Sequence, residues 1–195
     1  MRTLIKRTAV VVFAAFAAAG CTTEKALESD KPLVVTIDDL GEFGFERAKF
    51  TGEETFNRVK YVDGSLQVEY GFETPDSSAE ALSITVTAGF HKTAKDAADS
   101  YRMEKGGAAI GIGAVGGVSM KEVPSFYRWG DESYFAQLVG PTGQPGGMLF
   151  ATRRGTRTYL FMAGGMYFDD PAEWATLIEP RLKYLESYDP TKAKS

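Results

Sequence analysis

From residue 66 onward apolar and polar positions alternate with a period of two: Leu66, Val68, Tyr70 and Phe72 against Gln67, Glu69 and Gly71. That spacing predicts a strand with one buried and one wet face. Residues 58–62 read as its hairpin partner, with Asp63-Gly64 between them as a two-residue turn that needs positive φ. Leu82, Ile84 and Val86 alternate with Ser83, Thr85 and Thr87 and predict another half-buried strand. Residues 33–37 are expected as the first strand. Farther on, residues 134–139, 148–153 and 158–163 predict three consecutive antiparallel strands. They are joined by the Gly/Pro-rich 140–147 and by a tight turn at Arg154-Gly155.

Two segments switch to the helical period. Thr93 followed by Asp96 resembles an N-cap, and Ala94, Ala97, Ala98 and Tyr101 follow at helical spacing. This helix is expected to fade at Gly106-Gly107. Asp170-Pro171-Ala172-Glu173 is a helix start with a cap, a first-turn proline and an acid three residues on. Trp174, Leu177, Ile178, Leu182 and Leu185 supply the buried stripe behind it. Pro180 removes one backbone hydrogen bond, which predicts a kink or break near Ile178. Hairpin-connected strands with segregated helices belong to the α+β class, here a mainly antiparallel sheet covered by helices.

The chain start has a different pattern. Arg2, Lys6 and Arg7 precede an apolar core over 9–16 and small residues over 17–20. This is the layout of a signal peptide, and 8–20 is too short to cross a hydrocarbon layer of roughly 30 Å. Cys21, the single cysteine, follows Ala18-Ala19-Gly20. That placement resembles a bacterial lipobox, which implies cleavage between Gly20 and Cys21 and palmitate-type acyl chains carried by the Cys21 thiol. Ala18 stands where such boxes usually carry Leu. Thr22 rather than Asp follows the cysteine, which by resemblance to Gram-negative sorting rules implies the outer membrane, on its periplasmic or surface face. Two or three acyl chains hold a bilayer unaided, at about 0.8 kcal/mol per buried methylene. The expected organisation is a lipoprotein signal peptide over 1–20, a flexible tether over 21–32, one α+β domain over 33–188 and a disordered tail over 189–195.

The full chain carries a net charge of −4. Residues 1–20 hold three basic and no acidic residues, so the remainder is more negative still. An acidic domain argues against nucleic acid and anionic lipid as partners. Thirteen Phe, nine Tyr and two Trp are ample for a core without disulfides or metal.

Candidate chemistry is sparse. A single histidine, His91, and a single cysteine leave no His/Cys metal set and no arguable Ser-His-Asp arrangement. No cofactor is expected. Residues 111–116 fit G-x-G-x-x-G, but they follow a helix and lead into 118–124, which is not helical, whereas a dinucleotide site needs strand before and helix after. Residues 106–119 read instead as a Gly-rich loop whose Ile110, Ile112, Val115 and Val118 are a candidate contact patch for a membrane or protein partner. Asp38-Asp39 with Glu42, and Asp169-Asp170 with Glu173, read as solvated or capping carboxylates. Arg153, Arg154 and Arg157 are either an anion grip or a solubilising hairpin end.

From Val118 onward, Gly130-Asp131-Glu132 opening a strand, Arg154-Gly155 ending another and the closing 170–185 helix together resemble the PsbP-like and LpqN-type extracytoplasmic lipoprotein domains. The likeness implies an antiparallel sheet under helices, a non-enzymatic binding or accessory role and no shared catalytic residues. The expected function is a lipid-anchored cell-envelope module, bound to the membrane by its anchor, with a candidate envelope protein partner. A carboxylate-dependent hydrolase and a structural envelope protein are the alternatives. A concave pocket with Asp or Glu inside would favour the enzyme.

Overall fold

The computed structural model describes residues 20–75, 81–114 and 117–193. The signal segment before Gly20 and the Val115 of the candidate patch lie outside them. Eight strands form one antiparallel sheet: β1 (Cys21–Lys25), β2 (Glu53–Tyr61), β3 (Leu66–Glu73), β4 (Ser83–Phe90), β5 (Ser119–Glu122), β6 (Glu132–Val139), β7 (Pro145–Arg154) and β8 (Arg157–Gly164). Their spatial order is β1-β2-β3-β4-β8-β7-β6-β5. Helix α1 (Ala94–Ala114) carries the chain from β4 to the far edge, and the meander β5–β8 walks back until β8 pairs with β4. Helix α2 (Pro171–Ser187) closes the fold. The α+β class expected from patterning is the class observed.

Each sheet face has its own core. On the first face, Val68, Tyr70, Phe72, Ile84, Val86, Phe150, Tyr159 and Phe161 meet the α2 stripe of Trp174, Leu177, Ile178, Leu182 and Leu185. Trp174 is the hub, with the rings of Phe135, Phe150, Phe161 and Phe168 centred 5.1–6.0 Å away. Beside α2 lies the segment between β1 and β2, which buries Leu33, Val34, Val35, Ile37, Leu40, Phe45 and Phe50. On the second face, α1 lays Tyr101, Ala108 and Ile112 on Leu138, Leu149, Ala151, Leu160 and Met162.

Four expectations are corrected. Residues 33–37 do not form a strand: a 3-10 turn over Glu28–Leu33 leads into irregular chain whose apolar run is buried against the sheet. Residues 21–32 are not a free tether. β1 pairs with β2 from Cys21↔Tyr61 to Lys25↔Asn57. Beyond it Asp30 is fully buried, taking the Leu27 N–H at 2.7 Å and the Tyr188 hydroxyl, with the Arg58 Nε 3.4 Å away in an ion pair that lacks hydrogen-bond geometry. The first helix does not fade at the glycines, because Ala97, Tyr101, Ala108 and Ile112 continue one buried stripe across them. The helix holds four glycines, Gly106, Gly107, Gly111 and Gly113, at about 1 kcal/mol each, and burial of Ala108 and Ile112 on the sheet works against that cost. Finally, Pro180 does not break α2, which runs unbroken through Ser187. The lost hydrogen bond, worth roughly 3 kcal/mol with its clash, is outweighed by the buried side chains on either side of it.

The hairpin after β2 also differs in detail. Tyr61 N–H bonds Ser65 O and Gly64 N–H bonds Tyr61 O, so the loop has three residues, and Gly64 alone takes positive φ, at 82°. The expected tail begins in an Asx turn, Thr191 N–H to Asp189 at 3.0 Å. Among the described residues no helix is long and apolar enough to cross a membrane.

Candidate functional site

The second sheet face is half covered. Register places Asn57, Glu69, Thr87 and Leu160 in one row across β2, β3, β4 and β8, and Thr55, Gly71, Thr85 and Met162 in the next. The apolar end of these rows lies under α1. The polar end does not, and a groove of about 790 Å³ opens between α1 and the strands β1–β4. This is within the size range of small-molecule sites. Val59, Leu160, Met162 and Met103 give it an apolar strip, and Asn57, Gln67, Glu69, Thr85, Thr87, Glu104 and His91 give it polar walls.

One hydrogen-bond chain closes the groove's inner wall. The Tyr61 hydroxyl donates to Gln67 Oε1 at 2.5 Å, and Gln67 Nε2 donates to Glu104 Oε1 at 3.0 Å. Ser100 Oγ donates to the same oxygen at 2.9 Å. Both donors thus converge on Oε1. Burial pushes the Glu104 carboxyl up to about 7, against the two hydrogen bonds that lower it and with the charge of Glu69 adding to the rise. Burial likewise drives Tyr61 up to about 12, with Glu69 assisting. Glu69 itself is raised by burial, and it makes no hydrogen bond or ion pair among the described residues. Neither do the side chains of Asn57, Thr85 and Thr87 beside it. His91 Nε2 lies 3.2 Å from Thr158 Oγ1, and burial lowers its pKa, so the ring is neutral at pH 7.

The groove is anionic. No lysine or arginine lines it among the described residues. Lys105, next to the inward Glu104, turns away and sits 4.3 Å over the Tyr134 ring. At the helical rim, Lys95 and Arg102 both pair with Asp99, at 2.8 and 2.9 Å.

The residues singled out by sequence scatter. Cys21 is half-buried on β1 and forms part of the groove rim, with Gly20 beside it. Ile110 is exposed at 76%, whereas Ile112 is buried at 2% in the core beneath α1 and Val118 packs against that core. These residues therefore do not form one contact patch. Of the arginines, Arg153 pairs with Asp131 and Glu132, Arg154 with Glu186, and Arg157 stacks on Phe90. Asp39 pairs with Arg181, and Asp170 caps α2 through the Ala172 N–H at 2.8 Å. Each is committed to holding the fold. No described group of three or more His, Cys, Asp and Glu is placed to hold a metal ion.

Glu69 and Glu104 escaped the sequence reading as candidates, although a signal for each was present. Glu104 interrupts the stripe 97, 101, 108, 112 at a position that should be apolar. Glu69 stands on the strand's polar face, whose wetness was legible but whose enclosure by α1 was not. No protein-family model, curated protein or solved structure matches this chain.

Proposed function

We propose that this protein is a lipid-anchored cell-envelope binding module that holds a small ligand in the groove between α1 and β1–β4. The observation that carries the reading is the bank of unpartnered polar side chains on Asn57, Glu69, Thr85 and Thr87, facing a cavity of ligand size. The anchor is the acyl chains on Cys21 of the lipobox-like segment, and the place is the outer membrane. The likeness of the C-terminal segment to PsbP-like and LpqN-type domains supports a non-enzymatic binding role. The test has two arms. Mass spectrometry of the native protein finds an acylated Cys21, and Cys21→Ser releases it from membranes. Small molecules extracted from the purified native protein are compared with those from Thr87→Trp, which fills the groove. Equal yield from both sinks the binding site.

A carboxylate-dependent hydrolase is favoured by one observation: Glu69 and Glu104 share the groove, both with raised pKa values, as an acid/base pair requires. Turnover of a glycoside or ester panel that is lost in Glu104→Gln would support it over simple binding.

A further inference from the structure

Four observations bear on what the groove would hold. The first is the sign of its charge: Glu69 and Glu104 lie inside, Asp63, Asp96 and Asp99 lie at the rim, and no lysine or arginine lines it among the described residues. On α1, Lys95 and Arg102 are occupied by Asp99 and Lys105 by the Tyr134 ring. His91 is the only basic side chain in the lining among the described residues, and burial lowers its pKa, which disfavours its charged form.

The second is that Glu69 is built without a partner. It sits on the middle row between Asn57 and Thr87, and none of the three side chains bonds another described residue. A half-buried carboxylate with no donor is costly unless a charged donor arrives. Asn57 Oδ1 and Thr87 Oγ1 supply further acceptors on either side, so the three side chains form a seat for a group with several N–H donors. The third is the free oxygen of Glu104. Both of its protein donors bond Oε1, which leaves Oε2 without a hydrogen bond among the described residues. The fourth is the apolar strip. Leu160 continues the Glu69 row, Met162 lies in the row beside it, and Met103 and Val59 border the same space. Met103, exposed at 60%, stands at the mouth of the groove.

We infer that the groove binds an amphiphilic organic cation: an ammonium group seated on Glu69 between Asn57 and Thr87, with its hydrocarbon part along Leu160, Met162 and Met103. This deepens the binding reading above and rests on it. An ammonium matches the acceptors in number and charge, and its attraction to Glu69 is strengthened by the low-dielectric walls. The carboxylates repel an anionic amphiphile. A neutral one leaves Glu69 desolvated and unpaired.

The experiment is calorimetric titration of the membrane-extracted full-length protein at pH 8, where Glu104 is ionised, with three eight-carbon probes: octylammonium, octan-1-ol and octanoate. All three are titrated into the same detergent, with a detergent-only blank subtracted. Octylammonium is expected to bind about tenfold or more tightly than either of the others, the margin that one charge-assisted hydrogen bond supplies. Glu69→Gln is expected to erase that margin, with octanol binding no weaker than in the wild type and no fall in the thermal midpoint, since the substitution removes a carboxylate that burial disfavours. Met103→Asp, by contrast, at an exposed lining residue, should weaken octanol binding more than it weakens octylammonium. If octanol or octanoate binds as tightly as octylammonium, or Glu69→Gln leaves the preference intact, the cation assignment is overturned while the groove remains a binding site. If no probe binds the wild type at millimolar concentration, both the assignment and the binding reading fall.

Discussion

Asp30 offers the sharpest test of how the N-terminal segment is held. Its carboxylate is fully buried and accepts from the Leu27 N–H and the Tyr188 hydroxyl, with the 95% buried Arg58 alongside. Three stretches of chain therefore meet on one carboxylate: the turn after β1, strand β2 and the end of α2. Asp30→Ala removes the acceptor and leaves the Arg58 guanidinium buried with only a 3.5 Å bond to Pro190 O. Breaking a buried pair from one side costs about 3–5 kcal/mol, chiefly for the uncompensated charge. Against a total stability of roughly 5–15 kcal/mol, that is a large loss. Urea unfolding followed by circular dichroism measures it as a fall in midpoint at unchanged slope. The double variant Asp30→Leu with Arg58→Met should recover most of the loss, since an apolar pair of similar volume replaces the ions. If Asp30→Ala costs under about 0.5 kcal/mol, the effect of an ordinary surface change, then the segment is a tether after all and the ion pair holds nothing.

Three other outcomes follow from the geometry. Glu104 is raised from 4.5 to about 7 on folding, so its contribution to stability is full below pH 4.5 and is lost as pH rises through 7, by at most about 3 kcal/mol. Glu104→Gln should therefore melt higher than the wild type at pH 8 and lose that advantage by pH 4, as thermal denaturation at the two pH values shows. Gly106 lies in α1 at ordinary φ, with nothing within 4 Å of an added Cβ, so Gly106→Ala should stabilise by roughly 0.5–1 kcal/mol in the same urea assay. Ile112→Asp should destabilise by more than about 3 kcal/mol, whereas Ile110→Asp should stay within about 0.5 kcal/mol; similar costs at the two positions would deny the burial pattern of α1.

What patterning could and could not convey differs by element. β3, β4, β6, β7 and β8 were legible because period-two alternation and a face-to-face core constrain each other. Asp170 and the stripe from Trp174 marked α2 for the same reason. β1 and β5 were missed because edge strands of four or five mostly exposed residues, CTTEK and SMKE, carry no hydrophobic period. Val34, Val35 and Ile37 read as a strand since burial alone, without hydrogen-bond partners, produces the same apolar run. The glycines at 106 and 107 suggested a helix end because propensity is local, while the stripe that carries α1 past them depends on the sheet beneath. The groove was half legible. The polar row of Gln67, Glu69, Thr85 and Thr87 was read as a wet face, but its conversion into a wall needed the offset of α1 toward β7 and β8, which only the tertiary arrangement supplies.

The pairing of Cys21 with Tyr61 bears on how far the protein could reach. A free linker of the dozen residues first expected would let a domain wander about 20 Å from its attachment point. A thiol carried on the first residue of a paired strand allows no such wandering. Were Cys21 to carry acyl chains as proposed, the strand β1, the exposed Val62 at the neighbouring hairpin and the groove rim would all lie close to the lipid headgroups. The protein would then sample the envelope by lateral diffusion, and the groove would meet solutes at the membrane surface first.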